Sequence, residues 1–333
     1  MIDVAAVFRI GVQEQFFDRQ GFAGQSLLVA IIDHRLQIVS IGLTEAVHPR
    51  IGAEELALLL VFGPDPSQRG DARIGEPLAA IPVFLHRRFR HGFAFVNVHA
   101  GIRNPKDLIG KRVGGTNFQP AGNIWLRGIF EQHYGVPHKS ITWVVDRSED
   151  VPFDPPPGLK IEMIPAGKSM DTMLAEGEIP AMINPYIPQP LVDGDKRVAR
   201  LFPDYKTVER EYFQQTGIFP IMHVTVIKRE IVERYPWAPV SLVKAFEKAK
   251  NIAYKRLANP RITPLAWVRT EYEEERKLLG PDPWVYGLGE ANRNNLQTVI
   301  NYCHQQGLTR KALPIEELFL DTNPEDGGDV DHV

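Results

Sequence analysis

The chain reads Lys111-Arg-Val-Gly-Gly-Thr-Asn-Phe-Gln-Pro-Ala-Gly-Asn-Ile-Trp125, and a helical pattern of apolar residues then runs on to Gly135. The first three residues of this segment predict a short strand, and the glycine-containing turn after them brings backbone close to a ligand. Pro120 fits the first turn of a helix, where its missing N–H costs nothing. The apolar run at 141–145 predicts the next strand.

This strand–turn–helix–strand unit predicts a binding place for a small anion, because the first N–H groups of a helix have no partner within the helix. Thr116, Asn117 and Gln119 lie at the helix start, where they either bind a ligand or cap the helix. Trp125 could stack on an aromatic ring, but core packing is favoured. Arg127 either reaches the cleft or is solvated on the helix.

The composition excludes several classes of protein. The 333 residues are 44% hydrophobic and 24% charged, and the net charge of −3 gives no electrostatic reason to expect nucleic acid or an anionic membrane as a partner. Neither a signal peptide nor a membrane-spanning apolar run is recognised, which predicts a cytoplasmic protein. A homo-oligomer stays open.

The sequence predicts no metal site and no nucleotide cofactor, while a divalent cation that bridges a catechol-like substrate stays open. The single cysteine, Cys303, excludes an intrachain disulfide and lies in a helical pattern, so a structural thiol is favoured over a nucleophile. Glu209, Glu211 and Asp204 are interpreted as a solvated helix face. Neither a P-loop nor a dinucleotide fingerprint is present.

The order of elements predicts an α/β fold, because short strands alternate with helices. The helix-rich region after residue 228 suits a two-lobed protein with a hinged ligand cleft. Lobe one is predicted to comprise residues 1–108 and 225–320, and lobe two residues 109–224. Residues 321–333 are predicted to be a disordered tail.

Several short segments, in order over about 240 residues, resemble 4,5-dihydroxyphthalate decarboxylases. The matching segments are 80–91, 107–113, 125–129, 200–204, 216–223 and 284–288. The resemblance implies a periplasmic-binding-protein-like type 2 fold, related to the substrate-binding proteins of ABC transporters. It also implies non-oxidative decarboxylation of a dihydroxylated aromatic carboxylate, such as 4,5-dihydroxyphthalate to protocatechuate, without an organic cofactor.

The chain departs from the family pattern in two places. Residues 1–75 do not resemble the family's start, and both an altered reading frame upstream of about Asp71 and a divergent start are open. Asn117 stands where an acidic residue is expected, and a more basic segment is expected around Asn184. These positions would line the cleft, so the departures bear on substrate identity.

The basic segment at 86–91 and a single histidine supply the candidates for catalysis. With the resemblance, Arg90 and His91 are assigned to the cleft, where a guanidinium can bind a carboxylate through two hydrogen bonds, while Arg87 and Arg88 are assigned to the surface. His223 is proposed as general acid or base with His91, although a histidine among apolar residues is more often a core residue. Asn184 ends a strand and could donate to a carboxylate.

Two other interpretations stay open. The same cleft could serve a solute-binding protein for a small organic anion, because one fold serves both tasks. The absence of a recognised export signal and the titratable pair His91 and His223 favour the enzyme. A third interpretation is a copy that is inactive because its first lobe is disrupted.

Overall fold

The computed structural model of the protein describes residues 58–60, 78–149, 151 and 153–322. The strands are β1 (Leu58–Leu60), β2 (Leu78–Arg87), β3 (Ala94–Asn97), β4 (Arg112–Gly115), β5 (Thr142–Val145), β6 (Lys160–Met163), β7 (Ala181–Ile183), β8 (Val198–Arg200) and β9 (Ile221–Lys228). The helices are α1 (Ala121–Tyr134), α2 (Met170–Glu176), α3 (Gln189–Val192), α4 (Tyr205–Thr216), α5 (Arg229–Arg234), α6 (Ala238–Leu257), α7 (Val268–Leu279), α8 (Glu290–Gln305) and α9 (Ile315–Leu318). The predicted α/β class is confirmed.

The unit predicted from the strand, turn and helix at 111–145 is present as β4, α1 and β5. Helix α1 ends where expected, because Gly135 takes the left-handed conformation (φ +67°) and donates its N–H to the Phe130 carbonyl. Ser169 precedes α2 as predicted, but its side chain makes no capping hydrogen bond.

The larger sheet has the strand order β6-β5-β4-β7-β3-β8. Strands β6, β5, β4 and β7 run parallel, whereas β3 is antiparallel to both β7 and β8. From β4 the chain passes through α1 to β5 on one side, while β7 lies on the other side of β4. In open α/β sheets such a switch point creates a crevice at the carboxyl ends of the strands.

The smaller sheet has the order β1-β9-β2 and is antiparallel. The register of β2 against β9 shifts between Ile81 and His86 and again before Arg87. His86 is thereby paired with His223. Such irregularities re-aim side chains and are frequent beside functional sites.

The predicted lobe boundaries remain predictions, with one difference in the described residues. Strand β3, which a boundary at residue 108 assigns to lobe one, pairs within the larger sheet. Trp125 is fully buried and donates its indole N–H to the Ile221 carbonyl at 2.8 Å, so α1 contacts the smaller sheet directly. The favoured core role of Trp125 is therefore confirmed.

The hypotheses about residues 1–75 fall outside the described residues, apart from the β1 backbone, and so does most of the tail predicted at 321–333. Across the described ranges, no helix combines the length and the apolar character needed to cross a membrane.

Candidate functional site: an anion-binding sheet edge

Residues beside three neighbouring strands meet at one edge of the larger sheet. Thr116 and Asn117 follow β4, and Asn184 follows the parallel strand β7 beside it. The Asn184 N–H donates to the Phe93 carbonyl at 3.2 Å, which brings the segment before β3, and with it Arg90, to the same edge. Four of the predicted site residues are thus brought together by the strand order.

Arg90 is a buried guanidinium whose hydrogen bonding is incomplete. Its Nε and Nη2 donate only to the Met222 sulfur, at 3.0 and 2.6 Å, and sulfur is a weak acceptor. Its Nη1 is buried without a hydrogen-bond partner in the described part of the chain. Burial, followed by the charge of Arg88, lowers the pKa of Arg90 to about 9, which leaves it cationic at neutral pH.

The guanidinium of Arg90 lies directly against the first turn of α1. A Cβ built on Gly122 would stand 2.6 Å from the Arg90 Cζ, so only glycine leaves room for this side chain. Here the positive end of the helix dipole and a cation with an unfilled donor meet. An anion bound at this point would contact both.

The loop before α1 is already bound by a carboxylate of the protein itself. Glu149 accepts the N–H groups of Phe118 and Gln119, at 2.6 and 3.0 Å. The Gln119 side chain exchanges hydrogen bonds with the backbone of Val151. The N-cap residue is Pro120, and no side chain caps the helix. Gln119 therefore organises the loop. The candidate place for an anion is beside Arg90 and not at the N–H groups of this loop.

Arg127, predicted to bind substrate, is engaged in structural contacts. Its Nε donates to Gln306 Oε1 at 2.7 Å, and its Nη2 to the Phe118 carbonyl at 2.6 Å. Its Cζ lies 3.6 Å from the centre of the Phe118 ring. The side chain is 1% exposed, and it joins the loop before α1 to the end of α8. It does not reach the sheet edge with Arg90.

His91 points away from Arg90. Its ring is 1% exposed and lies among aromatic side chains, with ring centres at 5.3 Å from Tyr212, 5.4 Å from Phe202 and 6.1 Å from Tyr134. Tyr134 ends α1, about 20 Å from the helix start at thirteen steps of about 1.5 Å each. Burial lowers the pKa of His91 to about 4, so it stays neutral at neutral pH.

His223 forms an edge-to-face pair with His86, with ring centres 4.9 Å apart. Burial lowers the pKa of His86 to about 2, and the charges of His223, Arg90 and Arg88 act in the same direction. These four cationic or titratable groups therefore share one electrostatic environment beside the sheet edge. His223 is partly exposed, which leaves it open to a ligand in the crevice. His86 was not assigned a role from the sequence. Its pairing with His223 depends on a register shift between β2 and β9, which the sequence pattern does not reveal.

Two asparagines at the edge also have unfilled polar atoms. Asn117 is 1% exposed and its Nδ2 has no partner, while Asn184 is 2% exposed and its Oδ1 has none, in both instances among described residues. Buried polar atoms are nearly always hydrogen-bonded, so such atoms in a crevice mark places where a ligand or water binds.

Two other interpretations of charged residues were wrong. Arg87, assigned to the surface, is buried and donates to the carbonyls of Phe219 and Val285 and to Asn292, which ties β2 to the start of α8. Glu209, assigned to a solvated helix face, accepts the Gly92 N–H at 3.0 Å. Burial raises the pKa of Glu209 to about 7, and the Arg90 charge opposes this rise.

Candidate metal ligands and the thiol of Cys303 are the other groups that could carry chemistry. No three His, Cys, Asp or Glu side chains of the described ranges come together as a ligand set. Cys303 packs against the core at the end of α8, and burial raises the pKa of its thiol to about 12, which makes it a poor nucleophile.

The fold and the site define an α/β protein with buried cationic and amide side chains at the carboxyl edge of its larger sheet. Comparison with curated proteins identifies a 4,5-dihydroxyphthalate decarboxylase of Comamonas testosteroni, 35% identical over 252 residues, which are 73% of this chain and 76% of that enzyme. A 4,5-dihydroxyphthalate decarboxylase of Pseudomonas putida is 31% identical over 145 residues, 42% of this chain and 56% of that enzyme. The chain belongs to the 4,5-dihydroxyphthalate decarboxylase family, as its sequence segments predicted.

More distant similarities connect the chain to solved structures. A periplasmic sulfonate-binding protein of Methylobacillus flagellatus matches with a TM-score of 0.44 at 13% identity, over 79% of this chain and 72% of that one. The desulfurization enzyme DszB matches with a TM-score of 0.39 at 15% identity, over 79% and 82%. Similarity at this level does not identify a function. No protein-family model matches the chain.

Proposed function

We propose that the protein removes one carboxylate from a dihydroxylated phthalate, releasing carbon dioxide and a dihydroxybenzoate, in the breakdown of aromatic compounds. The observation that carries the proposal is the buried Arg90 at the start of α1, whose Nη1 finds no partner in the described part of the chain. The curated relatives of the chain are named 4,5-dihydroxyphthalate decarboxylases. A carboxylate satisfies both the guanidinium and the helix end.

The reaction needs a proton at the ring carbon that carries the departing carboxylate. In 4,5-dihydroxyphthalate each carboxylate has a hydroxyl group para to it, which supplies electron density to that carbon. His223 donates its proton to that ring carbon. The bond between this carbon and the carboxylate then breaks, and the electron pair of the bond restores the aromatic ring as carbon dioxide leaves. His223 then regains a proton from solvent. Arg90 holds the retained carboxylate throughout, and its fixed charge orients the ring.

His223 is the residue proposed to transfer the proton, because its ring contacts His86, which lies near Arg88 and Arg90, and because it is partly exposed. Replacing it in His223→Asn should lower kcat by at least about 100-fold while leaving substrate affinity within a few-fold, as expected for loss of a general acid. Steady-state kinetics and a binding titration on the folded variant measure both quantities. Full turnover in this variant would remove His223 from the mechanism.

The decisive experiment for the activity is carbon dioxide release from purified protein given 4,5-dihydroxyphthalate, with and without a chelator. Release that survives the chelator supports the predicted metal-free reaction, and release that the chelator abolishes keeps the enzyme but assigns it a metal. Binding of the compound without release would favour the alternative of a solute-binding protein. Cell fractionation tests the predicted cytoplasmic location.

A further inference from the structure

The side chains at the sheet edge change in charge from one strand to the next. Asp146 follows β5, Asn117 follows β4, Asn184 follows β7 and Arg90 precedes β3. The strands β5 and β3 are three strand spacings apart in this order, which is about 14 Å. A benzene ring with a polar substituent and a hydrogen bond at each end can span such a distance.

Asp146 is fixed at this edge by its backbone. Its N–H donates to the Thr116 carbonyl at 3.1 Å, so its position does not depend on its own carboxylate. The side chain is partly buried, and burial raises its pKa while the charge of Arg147 opposes the rise. The Arg147 Nη2 in turn lies 3.4 Å from Asn117 Oδ1. Asp146 is thus beside the asparagines rather than on a remote surface.

Tyr186 connects Asp146 to Asn184. Burial raises the pKa of the Tyr186 phenol, a hydrogen bond from Asn184 lowers it, and the negative charge of Asp146 raises it further. A phenol, an amide and a carboxylate therefore lie within electrostatic reach of one another. This end of the crevice combines the acceptors of Asp146 and Asn184 with donors of Asn117 and Arg147, whereas the Arg90 end offers a guanidinium.

The polar atoms of Asn117 and Asn184 that have no partner among the described residues favour some ligand groups over others. The buried Asn184 Oδ1 needs a donor and the buried Asn117 Nδ2 needs an acceptor. A ring hydroxyl can serve both, because it donates one hydrogen bond and accepts others. A carboxylate cannot donate a hydrogen bond to Asn184 Oδ1, and the charges of Asp146 and Arg147 oppose each other at this end. The chemistry of this end thus matches hydroxyl groups and disfavours carboxylates.

We propose that Asp146, together with Asn117 and Asn184, binds the ring hydroxyls of the substrate and so directs its carboxylates toward Arg90. Asp146 is then a specificity-determining residue that separates hydroxylated from unhydroxylated ring dicarboxylates. The inference rests on the proposed function, which supplies the class of substrate, but it concerns binding and orientation rather than the decarboxylation step.

The test compares the affinities of 4,5-dihydroxyphthalate and phthalate by calorimetric titration. The variants are Asp146→Asn, which keeps the size of the side chain, and Asp146→Ser, which guards against a distortion specific to Asn. Asp154→Asn removes an exposed carboxylate from the loop after β5 and is the matched control. Wild type and control should bind the dihydroxy compound at least about 10-fold more tightly than phthalate, as expected for hydrogen bonds to a charged group.

Both Asp146 variants should lose this preference, with the affinity for phthalate changed by less than about threefold. An unchanged preference, an equal loss for both ligands, or wild-type protein that binds the two compounds alike would overturn the assignment. A failure of the proposed activity can be told apart from a failure of this inference. Wild-type protein that prefers the dihydroxy compound but releases no carbon dioxide would support the role of Asp146 and contradict the decarboxylase activity.

Discussion

Two buried arginines contact helix α1 or its preceding loop, and they differ in one property. Arg90 and Arg127 are 4% and 1% exposed, and burial lowers the pKa of each to about 9. Arg127 donates to Gln306 and to the Phe118 carbonyl, whereas Arg90 donates to the Met222 sulfur and its Nη1 has no hydrogen-bond partner among the described residues. Burial and charge are alike, so the unfilled donor is what distinguishes a binding arginine from a structural one.

The largest expected effect comes from removing each guanidinium in turn. Arg90→Met should reduce kcat/KM for 4,5-dihydroxyphthalate by about 100-fold or more, because a charged hydrogen bond to substrate is lost, with little loss of stability. Arg127→Met should instead destabilise the fold by about 2–4 kcal/mol, because Gln306 and the Phe118 carbonyl lose their donors. Steady-state kinetics and urea unfolding on both variants measure the two effects.

A reversed pattern would contradict this assignment. If Arg90→Met mainly unfolded the protein and Arg127→Met mainly lost activity, Arg127 and not Arg90 would be the arginine that binds substrate. Arg90→Lys serves as a control for charge alone, since lysine lacks the planar fork that binds a carboxylate through two bonds.

Two glycines of α1 allow a matched test of the Arg90 position. In Gly122→Ala the new Cβ meets Arg90 Cζ at 2.6 Å, whereas in Gly128→Ala it overlaps the Tyr302 ring. The first should weaken substrate binding by about 10-fold by displacing the guanidinium. The second should lower stability by about 1–3 kcal/mol through overpacking, with ligand affinity unchanged in the folded protein.

Thermal unfolding and ligand titration of both variants decide the matter. Alanine has a higher helix propensity than glycine, so loss of affinity in Gly122→Ala cannot be blamed on a weaker helix. Unchanged affinity there would mean that the guanidinium position has no part in binding.

His91 provides a smaller, pH-dependent contrast with His223. Its pKa falls from the ordinary 6.5 to about 4 on folding, so its contribution to stability is present above pH 6.5 and is lost as the pH falls toward 4. Between pH 7 and pH 5 the wild type should lose more free energy of unfolding than His91→Phe, by about 2 kcal/mol. Turnover of the variant should stay within a few-fold of the wild type. Urea unfolding at the two pH values, with a turnover assay, measures this.

A large loss of turnover in His91→Phe would support the catalytic role predicted from the sequence. His86 titrates in the same direction, since burial lowers its pKa to about 2, so part of the acid sensitivity should remain in the variant.

The sequence predicted the elements better than the contacts between them. Apolar periodicity and Gly135 defined α1, and the residues that follow β4 and β7, which were predicted to line a cleft, lie at one edge of the larger sheet. Arg127 was misjudged because its partner Gln306 lies 179 residues away, which no local pattern reveals. The His86–His223 pair depends on a register shift, and the Glu149 carboxylate fills a loop that was expected to be open.

The central claim is that Arg90 at the start of α1 binds a carboxylate of the substrate. Calorimetric titration of 4,5-dihydroxyphthalate into wild-type protein and Arg90→Met at neutral pH tests it most directly. The account predicts saturable one-site binding by the wild type and an affinity lower by about 100-fold in the variant, since one charged hydrogen-bonding group is lost. Equal affinities in two folded proteins would contradict it.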